Sequence, residues 1–149
     1  MPETAEHPIF ARLYDRMLAT SERNGLEELR RSLLARATGR TLEIGAGTGL
    51  NLPHYPAVVE SLVLAEPDPH MAAKLRERLS EEGSPIADVS VIEAGAEALP
   101  FDDGSFDTVV STLVLCTVPD PAAALAEVRR VLIPGGAFLF IEHVRAEGR

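Results

Sequence analysis

The chain has one cysteine and no tryptophan among its 149 residues. A single thiol, Cys116, cannot close an internal disulfide, so a reducing compartment and a fold held by its own core are expected. Long hydrophobic runs are missing too. The longest, Val109 to Val118, is interrupted by Ser111, Thr112 and Thr117 and falls far short of the ~20 residues that a membrane-spanning helix needs. Positive charge is scarce: 14 Lys and Arg stand against 23 Asp and Glu, a formal net charge of −9. Binding to nucleic acid relies on clustered cations that neutralise phosphates, so a DNA or RNA partner is not expected. The best basic cluster (Arg23, Arg30, Arg31, Arg36, Arg40) reads as the solvated face of an amphipathic helix. No Cys/His group has metal-ligand spacing, so no bound metal is expected. No basic-then-apolar leader opens the chain, and its first ten residues carry Glu3 and Glu6. These absences together describe a soluble, cytoplasmic protein.

What is present is a core. Hydrophobic residues make up 46% of the chain, and a chain this long can bury about 68–70% of its unfolded surface as one domain. Two N-terminal helices are expected over 9–20 and 22–37, the second with Leu26, Leu29, Leu33 and Leu34 as its apolar stripe. Strands are expected at 41–46, 61–66, 89–93, 107–114 and 137–144. A helix capped by Asp68, with Pro69 in its first turn, should end at Gly83; another begins behind Asp120 and Pro121 and runs to Leu132. Pro53 and Pro56 leave room for only a short helix near 51–55. Alternation of strands and helices predicts an α/β fold with a doubly wound, mostly parallel sheet, residues 41–144 forming the core and 1–40 the leading helices.

Chemistry concentrates at Thr41 to Asn51. Strand one runs into a loop with Gly45, Gly47 and Gly49 at every second position, a place where such folds hold a nucleotide-like cofactor. A dinucleotide fingerprint, G-x-G-x-x-G, would need a third glycine where Leu50 stands, which argues against a dehydrogenase. Strand two ends in Glu66, 23 residues after Glu43, near the spacing of a ribose-binding acid.

The acidic-x-G-x-G-x-G pattern at Glu43 resembles motif I of the class I S-adenosylmethionine-dependent methyltransferases. "ALPFDDGSFD" (98–107) and "VRRVLIPGG" (128–136) resemble later segments of that family in the same order, over residues 41 to 144. The resemblance implies a Rossmann-like fold and S-adenosylmethionine as cofactor, with S-adenosylhomocysteine as product. It implies that Glu43 binds the cofactor's ammonium, that Gly45, Gly47 and Gly49 meet its aminoacyl part, and that Glu66 takes both ribose hydroxyls. Pro67 and Met71 would flank the adenine on one side and Leu99 on the other. Asn51, Ala96, Glu97 and the lid-like Tyr14 complete the set. Many relatives carry Asp where Gly95 stands, and Glu97 is the substitute at hand.

"LEIGAGTGLNLPHYP" (42–56), "TLVLCTVPDP" (112–121) and "FIEHV" (140–144) are similar to the small methyltransferase-like thiol methyltransferases. That points to a small-molecule acceptor: thiol, amine, hydroxyl or carbon. His143 is the candidate base, with Thr117 and Glu142 near it in strand ends; Cys116 reads better as a small buried hydrophobe. His54 and Tyr55 are expected near the site's mouth, and His7 and His70 facing solvent. The rival reading is a truncated or minimal cofactor-binding module without catalysis of its own. The family usually continues past strand five with two strands that are not apparent here, so Ala137 to Ile141 would be an apolar edge, and a homodimer through it is expected.

Overall fold

Two aspartates start the two long helices. The computed structural model describes residues 25–143; the helix expected over 9–20, Tyr14 and His7 lie outside them. Asp68 Oδ1 accepts from the amides of His70 (2.8 Å) and Met71 (3.2 Å). Pro69, which has no amide proton to satisfy, occupies the first turn of the helix Pro69–Glu82. Asp120 does the same for Pro121–Val131, accepting from the amide of Ala123 at 3.0 Å. Among the described residues the earlier helix is Glu27–Leu34, ending three residues before the expected 37, with Glu27 and Glu28 at its positive end. In chain order these helices are α1 (Glu27–Leu34), α2 (Pro69–Glu82) and α3 (Pro121–Val131).

The strands are β1 (Gly39–Ile44), β2 (Val59–Ala65), β3 (Val89–Ile92), β4 (Phe106–Thr112) and β5 (Leu132–Ile141). They form one sheet in the order β3-β2-β1-β4-β5, with every neighbouring pair parallel. β5 starts earlier than expected, at Leu132. Leu132 pairs with Phe106 and Ala137 with Thr108, so the chain between them, Ile133 to Gly136, is taken up in a register irregularity. β3 and β5 are the sheet's edges among the described residues. Phe140 on β5 is 54% exposed and stacks on Phe138 at 5.1 Å.

Residue parity divides the sheet into two apolar faces. Leu62, Leu64, Val110 and Leu139 pack with Leu34 of α1, Leu75 of α2, Leu52 and Tyr55. Leu42, Ile44 and Val109 pack on the opposite face with Ala124, Val128 and Val131 of α3. Helices therefore cover both faces, as the alternation predicted. Two details of the sequence reading fail on α1. Leu29 is 57% exposed rather than part of the buried stripe, and Arg30, expected on a solvated face, is 3% exposed. Arg30 and Leu34, four residues apart, form the buried edge of the helix.

β1 to β3 wind one way from the middle of the sheet, and β4 and β5 the other. The reversal lies between β1 and β4, and there the loop after β1 meets the chain after β4. Gly45 has φ +57°, and a Cβ on it would stand 2.5 Å from Val114 Cγ2. Gly45→Ala is expected to destabilise the fold by about 2–4 kcal/mol, the sum of left-handed strain and overpacking. Chemical denaturation checks it, and a variant within 0.5 kcal/mol of wild type (roughly the range of a neutral surface change) contradicts the packing.

Candidate active site

Every polar group of interest sits at the carboxyl ends of the strands. Glu43 is the penultimate residue of β1 and Glu66 follows β2; Ser111 and Thr112 end β4, and Glu142 follows β5. Glu43 is 1% exposed. Its Oε1 accepts a short hydrogen bond from Asn51 Nδ2, while its Oε2 is buried with no partner. Asn51 Nδ2 also donates to Thr112 Oγ1 at 3.0 Å. Arg30, reaching in from α1, donates through Nη1 to Asn51 Oδ1 (2.8 Å) and Thr112 Oγ1 (3.1 Å). A guanidinium only donates, so it holds the oxygen of the Asn51 amide toward itself and leaves the NH₂ group facing Glu43. Burial lifts the Glu43 carboxyl from 4.5 to about 7; the Asn51 hydrogen bond and the Arg30 charge pull it back, and Glu66 adds a small push upward.

Glu66 is 5% exposed. Its Oε2 accepts from the amide of Gly47 at 2.8 Å and its Oε1 from the amide of Asp68 at 3.0 Å. Burial raises its pKa, and those two amides oppose the rise. The glycine loop is thus tied to the end of β2 by the second acid. Gly45, Gly47 and Gly49 all have positive φ, of +57°, +59° and +93°. At Gly49 the space for a Cβ is taken by Leu75 Cδ1, at 2.7 Å, and at Gly45 by Val114. These two glycines are required by packing inside the protein, a reason that the spacing alone did not supply.

Met71, Ala96 and Leu99 are buried, at 7%, 5% and 5% exposure, while Pro67 is exposed. The 99–104 loop is stapled to α3. Glu127 Oε2 accepts from the Leu99 amide at 2.7 Å, and Arg130 donates to the carbonyls of Leu99 (3.0 Å) and Phe101 (2.6 Å). The bond from Arg130 and that from the Leu99 amide hold Glu127 down at about 2. Glu97 leans back over Gly95: a Cβ there would be 3.1 Å from Glu97 Oε2, and Glu97 Oε1 is buried without a partner. A carboxylate therefore stands where Gly95 provides none.

Two further expectations need correction. Cys116 is exposed, not a buried hydrophobe. Tyr55 is 3% exposed and belongs to the core, not to the mouth. Sequence reasoning also passed over the hydrogen bonds of Glu142, whose Oε1 accepts from Ser111 Oγ (2.9 Å) and the amides of Val114 (3.1 Å) and Leu115 (3.2 Å). Glu142 thereby pins a turn that contains Leu113 at φ +57°. His143, one residue on, is exposed beyond the end of β5. Arg30 and Thr112 were missed as site residues altogether. The available signal was the four-residue step from Arg30 to Leu34, which places both on one helical face.

A family model described as "Methyltransferase domain" matches residues 42–140. The human protein named thiol S-methyltransferase TMT1B is 37% identical over 136 residues, covering 86% of this chain and 55% of that protein. Phosphatidylethanolamine N-methyltransferase of Cereibacter sphaeroides is 36% identical over 106 residues, covering 70% of the chain and 51% of that protein. The chain thus spans a little over half the length of these curated relatives. A solved SAM-dependent methyltransferase from Thermotoga maritima superposes with a TM-score of 0.68 at 32% identity, over 90% of this chain and 61% of that one.

The Glu43 carboxyl gives a pH test that needs no ligand. Its folded pKa (about 7) lies above its unfolded value (4.5), so the folded state keeps a proton that the unfolded state loses between them. Its contribution to stability should be most favourable below about 4.5, decline as pH rises to about 7, and then level off. Denaturation of wild type and Glu43→Gln across this window should show the decline as a difference between the two. Parallel pH profiles would contradict the buried, protonated carboxyl.

Proposed function

The chain belongs to the methyltransferase domain family, whose cofactor here is S-adenosylmethionine, and we propose that it transfers the cofactor's methyl group to a small-molecule nucleophile, a thiol foremost. The observation that carries the site assignment is the pair of buried carboxylates, Glu43 and Glu66, on either side of the glycine loop.

The residues present suit the cofactor. Glu43 Oε2 is a buried acceptor with no partner, and an ammonium group would satisfy it. Each oxygen of Glu66 accepts one amide, and a carboxylate has about four lone-pair sites, so two remain for vicinal hydroxyl donors. Met71, Ala96 and Leu99 offer an apolar wall to the adenine, with Pro67 at its rim. The Glu97 carboxylate, which leans over Gly95 and has a buried oxygen without a partner, would accept from an exocyclic amine. Glu127 and Arg130 fix the loop that carries Leu99.

When bound, S-adenosylmethionine supplies an electrophilic methyl on a sulfonium. The protein's part is alignment of the acceptor with that methyl and exclusion of water. A thiol asks least of the protein: with an ordinary pKa near 8.5, part of it is already thiolate at neutral pH, and no strong base is needed. The exposed His143 is in keeping with that, serving at most as a proton acceptor at the rim. The human thiol S-methyltransferase relative supports the thiol, and the Cereibacter relative makes an amine the second reading. A methyl-transfer assay over alkyl thiols, primary amines and phenols tests this. Turnover of thiols above the others is expected; turnover of amines alone would replace the reading, and cofactor binding with no turnover of any class would leave a binding module.

Two results at the site follow. Glu66→Ala should weaken S-adenosylhomocysteine by roughly 10–150-fold, the loss of ~1.5–3 kcal/mol in charge-assisted hydrogen bonds. Calorimetry giving wild-type affinity would remove Glu66 from the ribose. Affinity of the wild type should also rise with pH through about 7, as Glu43 ionises to meet the ammonium. In Glu43→Gln that rise should be absent.

A further inference from the structure

Two polar atoms on one face of the sheet are buried without a hydrogen-bond partner: Glu43 Oε2, an acceptor, and Tyr55 Oη, a donor. Their placement brings them into one layer. Glu43 is in register between Leu64 of β2 and Val110 of β4, and both of these lie in the core layer that holds Tyr55. Its chain neighbours, Leu42 and Ile44, face the other layer. Glu43 is close enough for its charge to act on the phenol: burial first, then the carboxylate, pushes the Tyr55 pKa well above its ordinary value. Tyr55 is therefore a protonated donor in the neighbourhood of an orphaned acceptor. Asn51 and Tyr55 stand at the two ends of the short 3-10 helix Leu52–His54, and Asn51 already holds the other carboxylate oxygen.

We propose that Tyr55 is a positioning residue for Glu43, its hydroxyl donating to Oε2 through one buried water, so that the segment 51–55 grips both oxygens of the carboxylate. Polar atoms with no access to solvent are ordinarily satisfied in this way. The effect on cofactor binding rests on the reading of Glu43 as the ammonium acceptor; the grip itself does not. Donation from Tyr55 favours the ionised carboxylate. The other charged groups acting on Glu43 among the described residues are Arg30 of α1, which favours ionisation, and Glu66 beyond β2, which opposes it. Each carboxylate oxygen accepts more than one donor, so that water and an ammonium can share Oε2.

The test is a titration of the unliganded chain. With glutamate labelled at its side-chain carboxyl carbon, and Glu43 assigned through Glu43→Gln, carbon NMR follows the Glu43 midpoint in wild type and Tyr55→Phe. An upward shift of roughly one to two pH units in Tyr55→Phe is expected, the effect of losing one donor to a charged acceptor. An unchanged or lowered midpoint in the folded variant overturns the proposal. Should Tyr55→Phe not fold, a wild-type crystal structure decides: Oη and Oε2 on a shared water supports the grip, and Oη bonded elsewhere ends it. Calorimetry with S-adenosylhomocysteine separates the two readings. A shifted midpoint in a protein that does not bind this ligand keeps the grip and removes the cofactor assignment.

Discussion

A carboxylate buried at the end of the central strand is the constraint around which this structure is arranged. Glu43 is nearly inaccessible to water, and a charge so placed is costly unless it is paired and hydrogen-bonded. The fold meets that cost from three directions. Asn51 comes from the loop beyond the glycines, Thr112 steadies Asn51 from the end of β4, and Arg30 enters from α1 and holds the opposite end of the Asn51 amide. The helix that packs Leu34 into one apolar face is thereby also tied to the site by a cation. The other oxygen of Glu43 is buried with no protein partner among the described residues.

The second acid works differently. Glu66 is held by backbone amides rather than by side chains, and one of these, from Gly47, belongs to the loop that Glu43 introduces. The two acids therefore fix the loop from its two sides, one through Asn51 and one through Gly47. The Glu127–Arg130 pair performs the corresponding task for the loop that carries Leu99. The site is a set of loops, each fastened to a rigid element by a charged group.

Much of this was legible in the sequence because the signals were local. Asp68-Pro69 and Asp120-Pro121 announce helix starts through chemistry confined to three or four residues, and the alternation of strands and helices implies a parallel, doubly wound sheet, though not its strand order. The glycine loop and its two acids were legible for the same reason. What the sequence hid depends on distance in the fold. Arg30 looked like one more surface arginine because its partners, Asn51 and Thr112, lie 21 and 82 residues away. Tyr55 looked peripheral because it ends the short, proline-punctuated helix expected just after the glycine loop, yet that segment turns its ring into the core. The reasons for Gly45 and Gly49 were legible only in part, since Val114 and Leu75 occupy the space their side chains would fill. The early start of β5 was masked by Pro134-Gly135-Gly136, which reads as a break and is taken up as an irregularity in pairing.

On the proposed reading, Glu43, the glycine loop and Glu66 hold an S-adenosyl amino acid rather than a dinucleotide. Titration calorimetry of the purified chain with S-adenosylhomocysteine and, separately, with NAD tests it most directly. The account predicts saturable binding of S-adenosylhomocysteine at one site per chain and no detectable heat of binding for NAD. Binding of NAD without S-adenosylhomocysteine, or of neither by a folded chain, would contradict it.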